Sequence, residues 1–134
     1  MRVLIVEDNP TICQMMHGIV SPLADAVYDC ADGAQALAAY QTHHPDVVLM
    51  DIAVGAVDGI TATRRIRAAD PMAQIIIVTM FDEADLREAA QAAGASGYVL
   101  KDNLLELRQW LQMRHANETT NPSHLPVAEK EQFQ

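Results

Sequence analysis

Five short apolar runs, separated by segments with helical periodicity, constrain the fold of this chain more than any other feature. The runs occupy residues 3–6, 27–31, 47–50, 75–78 and 98–100, and the second is the weakest. They are largely continuous rather than alternating apolar and polar, which is typical of strands buried on both faces. The sequence therefore predicts a parallel sheet covered by helices.

Amphipathic segments lie between and after these runs. Pro10 suits the first turn of one helix, residues 34–40 form a second, and Asp58-Gly59 opens a third. Asp82 or its neighbour caps a fourth over residues 83–93, Gly94 stops it, and Leu104, Leu107 and Leu111 mark a fifth. This alternation predicts right-handed crossovers in a doubly wound α/β domain.

Charge and length limit the classes of partner. The 134 residues contain nine Lys and Arg against eighteen Asp and Glu, a formal net charge of −9. Such acidity argues against direct binding of nucleic acid or of an anionic membrane by this segment. No apolar run approaches the roughly 20 residues that span a bilayer. Cys13 and Cys30 are not spaced as CxxC, so we expect reduced thiols packed in the core.

The C-terminal segment differs in composition from the rest. Residues 116–134 are polar, contain two prolines and show almost no apolar periodicity. We therefore predict a domain over residues 1–115, followed by a linker or flexible tail over residues 116–134.

Chemically active side chains follow four of the predicted strands. These residues are Glu7 and Asp8 after the first strand, Asp51 after the third, Thr79 after the fourth and Lys101 after the fifth. The carboxyl ends of parallel strands meet at one edge of a sheet, so we expect these groups to lie together. Crowded carboxylates need a cation, and oxygen-only ligands favour Mg²⁺.

The same set suits phosphoryl transfer. A carboxylate beside Mg²⁺ can act as a nucleophile, while a lysine and a hydroxyl contact the oxygens of the transferred group. The sequence contains no GxxxxGK[ST] or GxGxxG motif, which disfavours a nucleotide as the donor.

The ordered motifs resemble those of a known family. VEDNP at 6–10, VVLMDI at 47–52, DGI at 58–60, IIIVTMFD at 75–82 and GASGYVLKD at 94–102 are similar to the receiver domains of bacterial two-component response regulators. The resemblance is closest to the LuxR-type (NarL/FixJ-like) subfamily. It implies a flavodoxin-like fold, a five-stranded parallel sheet in the order 2-1-3-4-5 with five helices.

The resemblance also implies roles for individual residues. Asp51 would be the phosphoacceptor, with Thr79 and Lys101 contacting the phosphoryl oxygens. Mg²⁺ would be held by Asp8, Asp51 and the backbone carbonyl of Ala53, with Glu7 assisting through water. Tyr98 would turn inward when Thr79 moves toward the phosphoryl group, although simple core packing of Tyr98 remains an alternative.

A receiver of this kind would act in the cytoplasm as a phosphorylation-activated switch. The expected donor is the phosphohistidine of a sensor histidine kinase or a small acyl phosphate, and a homodimer would be compatible with the resemblance. The responding surface would comprise the fourth helix, fifth strand and fifth helix. The chain would not be an enzyme beyond its own phosphorylation and dephosphorylation.

Two further features of the sequence bear on these expectations, one in the loop beside Asp51 and one near the end of the sequence. Gly55 stands where the family commonly has proline, so we expect a looser loop beside Asp51. Residues 125–133 weakly resemble the first helix of a LuxR-type DNA-binding domain, with chance similarity at least as good an explanation. If this resemblance is genuine, the chain is either the N-terminal part of a longer transcriptional regulator or a naturally shortened regulator.

Two other classes of function remain open. A haloacid-dehalogenase-type phosphatase also uses an aspartate nucleophile and Mg²⁺, but it needs a second acid where this chain has Ala53. An unphosphorylated adaptor with the same fold is the other alternative, and the intact set of polar residues at the strand ends argues against it.

Overall fold

The computed structural model describes residues 1–120, with side chains described for residues 1–114. The strands are β1 (Arg2–Val6), β2 (Ala26–Cys30), β3 (Val47–Met50), β4 (Ile75–Thr79) and β5 (Gly97–Leu100). The helices are α1 (Pro10–Val20), α2 (Ala36–His43), α3 (Gly59–Ala69), α4 (Ala84–Ala92) and α5 (Leu104–Thr120). All ten predicted elements are present, and β3 has the predicted ends. The ends of the other elements differ from prediction by up to three residues, except that α5 extends further.

The five strands form one parallel sheet in the order β2-β1-β3-β4-β5, which confirms the predicted topology. The register aligns the carboxyl ends of β1, β2 and β3, because Val6 pairs with both Cys30 and Met50. At the other side of the sheet, Thr79 pairs with Leu100. The residues after these strands therefore start from one edge.

Helices cover both faces of the sheet. Alternate strand residues contribute to two cores, one packed against α1 and α5 and the other against α2, α3 and α4. Every residue of β3 and β4 is buried, as continuous apolar runs predict. The edge strand β2 is only partly covered, which explains its weaker apolar pattern.

Local sequence signals set most helix ends. The Asn9 carboxamide accepts hydrogen bonds from two backbone N–H groups at the start of α1, and Asp58 caps α3 through Thr61. Gly94, with φ of +102°, ends the turn after α4 as predicted. The start of α4 differs in detail, because Glu83 occupies the cap position without a side-chain hydrogen bond.

The fifth helix continues beyond the predicted end of the domain. Its backbone is helical to Thr120, so the first residues of the predicted tail belong to α5. Residues 121–134, including the segment that resembles a DNA-binding helix, lie outside the described residues. Among the described helices, none combines the length and apolar character needed to cross a membrane.

Candidate functional site

Three charged side chains meet where β1, β3 and β5 end. Lys101 Nζ lies 2.8 Å from Glu7 Oε1 and 3.2 Å from Asp51 Oδ2, so one ammonium group bridges two carboxylates. The ladder of strand hydrogen bonds continues into the site, because the Asp51 N–H donates to the Val6 carbonyl at 3.0 Å. The sheet register thus places these side chains together, as the strand ends predict.

Asp8 completes an acidic cluster at this edge. Carboxylate oxygens of Glu7, Asp8 and Asp51 all lie within 4.8 Å of one another. Glu7 and Asp51 are buried, whereas Asp8 is exposed. With Lys101, the group carries three negative charges and one positive charge when all are ionised. This excess of oxygen donors and negative charge fits a hard divalent cation.

Burial and neighbouring charges shift the pKa of Asp51, the acid paired with Lys101. Burial and the adjacent Glu7 carboxylate raise the pKa of Asp51 to about 6, against the opposing effect of Lys101. Burial acts to lower the pKa of Lys101, but contact with Glu7 and Asp51 outweighs it and leaves that pKa raised. At neutral pH, the site therefore holds a charged lysine beside an Asp51 carboxyl that is mostly ionised.

Both carboxylate oxygens of Glu7 have partners within the protein. Oε1 faces the Lys101 ammonium group, and Oε2 accepts a hydrogen bond of 3.1 Å from the Asn9 N–H. Asn9 in turn caps α1. Glu7 therefore connects the turn after β1 to Lys101, while the more exposed Asp8 keeps its carboxylate open to solvent.

Close packing of a glycine holds the loop after β3 against helix α3. A Cβ on Gly59 would collide with the backbone carbonyl of Asp51, and the Gly59 N–H donates to the Ile52 carbonyl at 2.7 Å. Ala53, within this loop, is exposed. The DGI motif therefore sets the approach of α3 to Asp51 as well as capping the helix.

Gly55 has a different role from the loosening that we expected. Its φ of +71° lies in the left-handed region, which proline cannot adopt. A Cβ at this position would also collide with the Asp32 carboxylate. The loop packs closely against Asp32, so glycine is required by the conformation that this chain adopts.

A backbone segment links Thr79 to Tyr98. The buried Thr79 Oγ1 accepts a hydrogen bond of 3.3 Å from the Phe81 N–H, and the Tyr98 hydroxyl donates to the Phe81 carbonyl at 2.7 Å. The Tyr98 ring is partly exposed, with the Arg87 guanidinium carbon 4.5 Å from its centroid. Tyr98 is therefore only partly packed in the core and is anchored to the loop after β4.

One group of side chains was not anticipated from the sequence. Cys13 is partly buried and packs against the core on the α1 side of the sheet, and it also lies near His17 and Asp29. The Cys-x3-His spacing on one helix face was the available signal. Within the described residues, neither His43 nor His44 joins a cluster of metal-ligating groups, and the His43 ring stacks on Tyr28 at 3.9 Å.

Comparisons with known proteins agree with this architecture. A family profile described as response regulator receiver domain matches residues 3–112. The chemotaxis protein CheY of Bacillus subtilis is 36% identical over 110 residues, covering 78% of this chain and 92% of that protein. A LuxR-family two-component response regulator from Aurantimonas superposes with a TM-score of 0.78 at 33% identity, covering 87% of this chain and 85% of that one.

Some relatives are much longer than the matched segment. A protein-glutamate methylesterase/protein-glutamine glutaminase of Anaeromyxobacter dehalogenans is 46% identical over 98 residues, which cover 70% of this chain and 28% of that protein. The shared part is the α/β domain that carries the acidic site. From its profile match, topology and relatives, this chain belongs to the response regulator receiver domain family, whose members accept phosphoryl groups on aspartate in two-component signalling.

Proposed function

We propose that Asp51 is the phosphoacceptor of this receiver and that a sensor histidine kinase or a small acyl phosphate supplies the phosphoryl group. The observation that carries this assignment is the ion-pair bridge from Lys101 to Asp51 and Glu7 at the carboxyl edge of the sheet. Glu7 and Asp51 are both buried in the acidic cluster, but the two oxygens of Glu7 contact Lys101 and the Asn9 N–H, whereas Asp51 contacts Lys101 through Oδ2 alone. Of the two buried carboxylates, Asp51 is therefore the one that keeps an oxygen not paired with Lys101.

Mg²⁺ is the cofactor that this donor set suits. Asp8, Asp51 and the backbone carbonyl of Ala53 would hold the ion, and Glu7 would assist through water because both of its oxygens already have partners. When bound, the ion supplies neutralisation of negative charge on the phosphoryl group and its acceptor. Its oxygen-only donors distinguish this cluster from sites for softer metals.

The transfer step uses the ionised form of Asp51. A carboxylate oxygen forms a bond to phosphorus as the phosphorus–nitrogen bond of phosphohistidine breaks, and the electron pair stays on the imidazole nitrogen. The Lys101 ammonium group and the Thr79 hydroxyl would contact oxygens of the transferred group. Because the pKa of Asp51 is about 6, the nucleophilic form predominates at neutral pH.

The conformational response follows from the shared contacts of Phe81. Movement of the Thr79 hydroxyl toward the phosphoryl group would remove its hydrogen bond with the Phe81 N–H. The same loop residue holds the Tyr98 hydroxyl, so its displacement would release Tyr98 to turn inward. The surface of α4, β5 and α5 would change in consequence.

We expect the domain to act as a switch and to turn over no external substrate. Its own phosphorylation and the hydrolysis of its own acyl phosphate would be its only chemistry. Ala53 stands where a dehalogenase-type phosphatase needs a second acid, which disfavours that alternative. We further propose cytoplasmic location, with dimerisation and control of transcription as outputs if a DNA-binding domain follows.

Phosphorylation of purified protein with acetyl phosphate and Mg²⁺ tests the assignment. Intact-mass spectrometry should show one added phosphoryl group on wild-type protein and on the control Asp102→Asn, whose carboxylate lies outside the cluster. Asp51→Asn should show none. Unchanged labelling of Asp51→Asn would exclude Asp51 as acceptor, and a folded wild type that stays unlabelled would favour the adaptor alternative.

A further inference from the structure

A second group of metal-ligating side chains lies between α1 and β2, outside the acidic cluster. The Cys13 sulfur, a nitrogen of the His17 ring and an oxygen of the Asp29 carboxylate all lie within 4.8 Å of one another. Unlike the acidic cluster, this one offers three different donor elements. Its ligand preference should differ accordingly.

The local structure explains why these side chains converge. Cys13 and His17 are four positions apart in α1, so they lie on one face of the helix. Strand alternation places Asp29 on the same sheet face as Val27, the face that packs against α1. Cys30 is on the opposite face, where it belongs to the other core.

The three groups are already in contact and accessible to solvent. The His17 Nε2 atom lies 2.6 Å from Asp29 Oδ1, with 33% of the His17 side chain and 56% of the Asp29 side chain exposed. Burial, together with the charge and hydrogen bonding of Asp29, raises the pKa of the Cys13 thiol to about 11. The thiol is therefore protonated at neutral pH when no metal is bound.

We propose that Cys13, His17 and Asp29 form a three-ligand site for Zn²⁺ on the edge of the sheet. Thiolate, imidazole and carboxylate are the three side-chain donors that zinc uses, and a pair of ligands one helical turn apart is a common arrangement. Three protein ligands leave the fourth tetrahedral position to water. Mg²⁺, which demands oxygen donors, does not suit this site.

The geometry requires only a small rearrangement. In a tetrahedral zinc site, nitrogen and oxygen ligands are separated by about 3.3 Å, given metal–ligand distances near 2.0 Å. The His17–Asp29 contact therefore has to widen from 2.6 Å, and both side chains are exposed enough to move. Binding replaces the thiol proton by the metal, and the proton leaves to solvent.

Such a site would connect α1 to the edge strand β2. The ion would replace the solvent-exposed hydrogen-bonded contact between His17 and Asp29 by three bonds to one metal. Strand β1 is adjacent to β2 and leads into Glu7 and Asp8. Zinc bound between α1 and β2 would therefore stabilise the strands that support the acidic site. The proposal does not depend on phosphorylation of Asp51.

Cobalt substitution gives a direct test. We expect titration of reduced, metal-free protein with Co²⁺ to produce a thiolate-to-cobalt charge-transfer band and the visible absorption of tetrahedral cobalt, both removed stoichiometrically by Zn²⁺. Cys13→Ser should lose the charge-transfer band. His17→Gln and Asp29→Asn should weaken binding at least about tenfold, the loss caused by removing even an outer-sphere partner.

Matched variants locate the bound ion. Cys30→Ser changes the cysteine on the opposite sheet face, and His43→Gln changes a histidine of another helix, so both should bind cobalt as wild type does. Asp51→Asn should also retain the thiolate band, since it alters only the acidic cluster. A wild-type spectrum without the thiolate band, or equal binding by Cys13→Ser, would overturn the proposal and leave only the hydrogen-bonded contact between His17 and Asp29.

Discussion

Lys101 connects the residues on which the acidic site depends. Its ammonium group pairs with Glu7 and Asp51, and only 10% of its side chain is exposed. Removing one partner from a buried charge cluster leaves the others without compensation, which costs more than the pairing itself contributes. The position of Lys101 therefore matters to the ionisation of Asp51 as well as to the contact with a phosphoryl group that we propose.

The pKa of Asp51 predicts a specific pH dependence of stability. Because this pKa is about 6 in the folded chain and about 4 when unfolded, the folded state binds more protons between these values. The contribution of Asp51 to stability therefore falls as pH rises from about 4 to 6. Asp51→Asn should be more stable than wild type by about 2–3 kcal/mol at pH 7.5, and this gain should disappear near pH 3.

Urea unfolding at a series of pH values, in buffer with a chelator of divalent ions, measures this difference. Ionisable groups distant from residue 51 contribute equally to both proteins and cancel when the two curves are subtracted, whereas the altered titration of Glu7 and Lys101 is part of the measured difference. Asp102→Asn serves as a control and should show no comparable trend. A pH-independent difference between Asp51→Asn and wild type would contradict the raised pKa.

Close packing restricts which residues the loop from β3 to α3 can contain. The loop from β3 to α3 contains two positions where a Cβ would collide, Gly55 against Asp32 and Gly59 against the Asp51 carbonyl. Both contacts involve residues distant from the glycine in the chain or across the turn. This loop is therefore constrained by packing around the acidic edge, and glycine here does not indicate looseness.

Gly55→Ala should destabilise the protein by about 1–2 kcal/mol. The left-handed φ of +71° is unfavourable for alanine, and the new methyl group would displace Asp32. Gly18→Ala is the matched control, because this glycine lies within α1 and nothing is within 4 Å of its added Cβ. That change should stabilise the chain by up to about 1 kcal/mol.

Denaturation midpoints at constant m-value measure both effects. Opposite signs for the two substitutions are the expected result. If Gly55→Ala were as stable as wild type, the loop would be free to adopt another conformation, as the replacement of the family proline first suggested.

At the scale of the whole molecule, the sheet collects negative charge at one edge. Two buried carboxylates and one exposed carboxylate cluster there, and Lys101 pairs with the two buried ones, in a chain whose net charge is −9. Repulsion among these groups opposes folding unless a cation binds. Divalent ions should therefore influence global stability as well as phosphorylation.

Mg²⁺ should stabilise wild-type protein by mass action. At a free concentration ten times its dissociation constant, the expected gain is about 1.4 kcal/mol, and a chelator should reverse it. Asp8→Asn removes an exposed oxygen donor with little cost to packing, so it should reduce the gain. Thermal melts across a Mg²⁺ series measure the effect, and an equal response in Asp8→Asn would place the ion elsewhere.

The sequence predicted the elements and the site unevenly. The strands were clear because β3 and β4 are buried on both faces and therefore continuously apolar. The predicted bounds of edge strand β2 are one residue later than the observed ones, because its partly exposed side chains give a weaker apolar pattern. The grouping of Glu7, Asp51 and Lys101 was predictable because parallel strands share one carboxyl edge. The domain boundary near residue 115 and the individual site roles stay predictions.

The amino-acid sequence alone determined the order of elements, the caps of α1 and α3 and the set of polar groups at the strand ends, because these depend on local periodicity and short-range hydrogen bonds. Tertiary structure decided what depends on contacts between distant segments. It placed Asp32 against Gly55, tied Thr79 and Tyr98 to the same backbone residue, and brought Asp29 to Cys13 and His17. Those distances follow from strand register and helix packing, which no local pattern records.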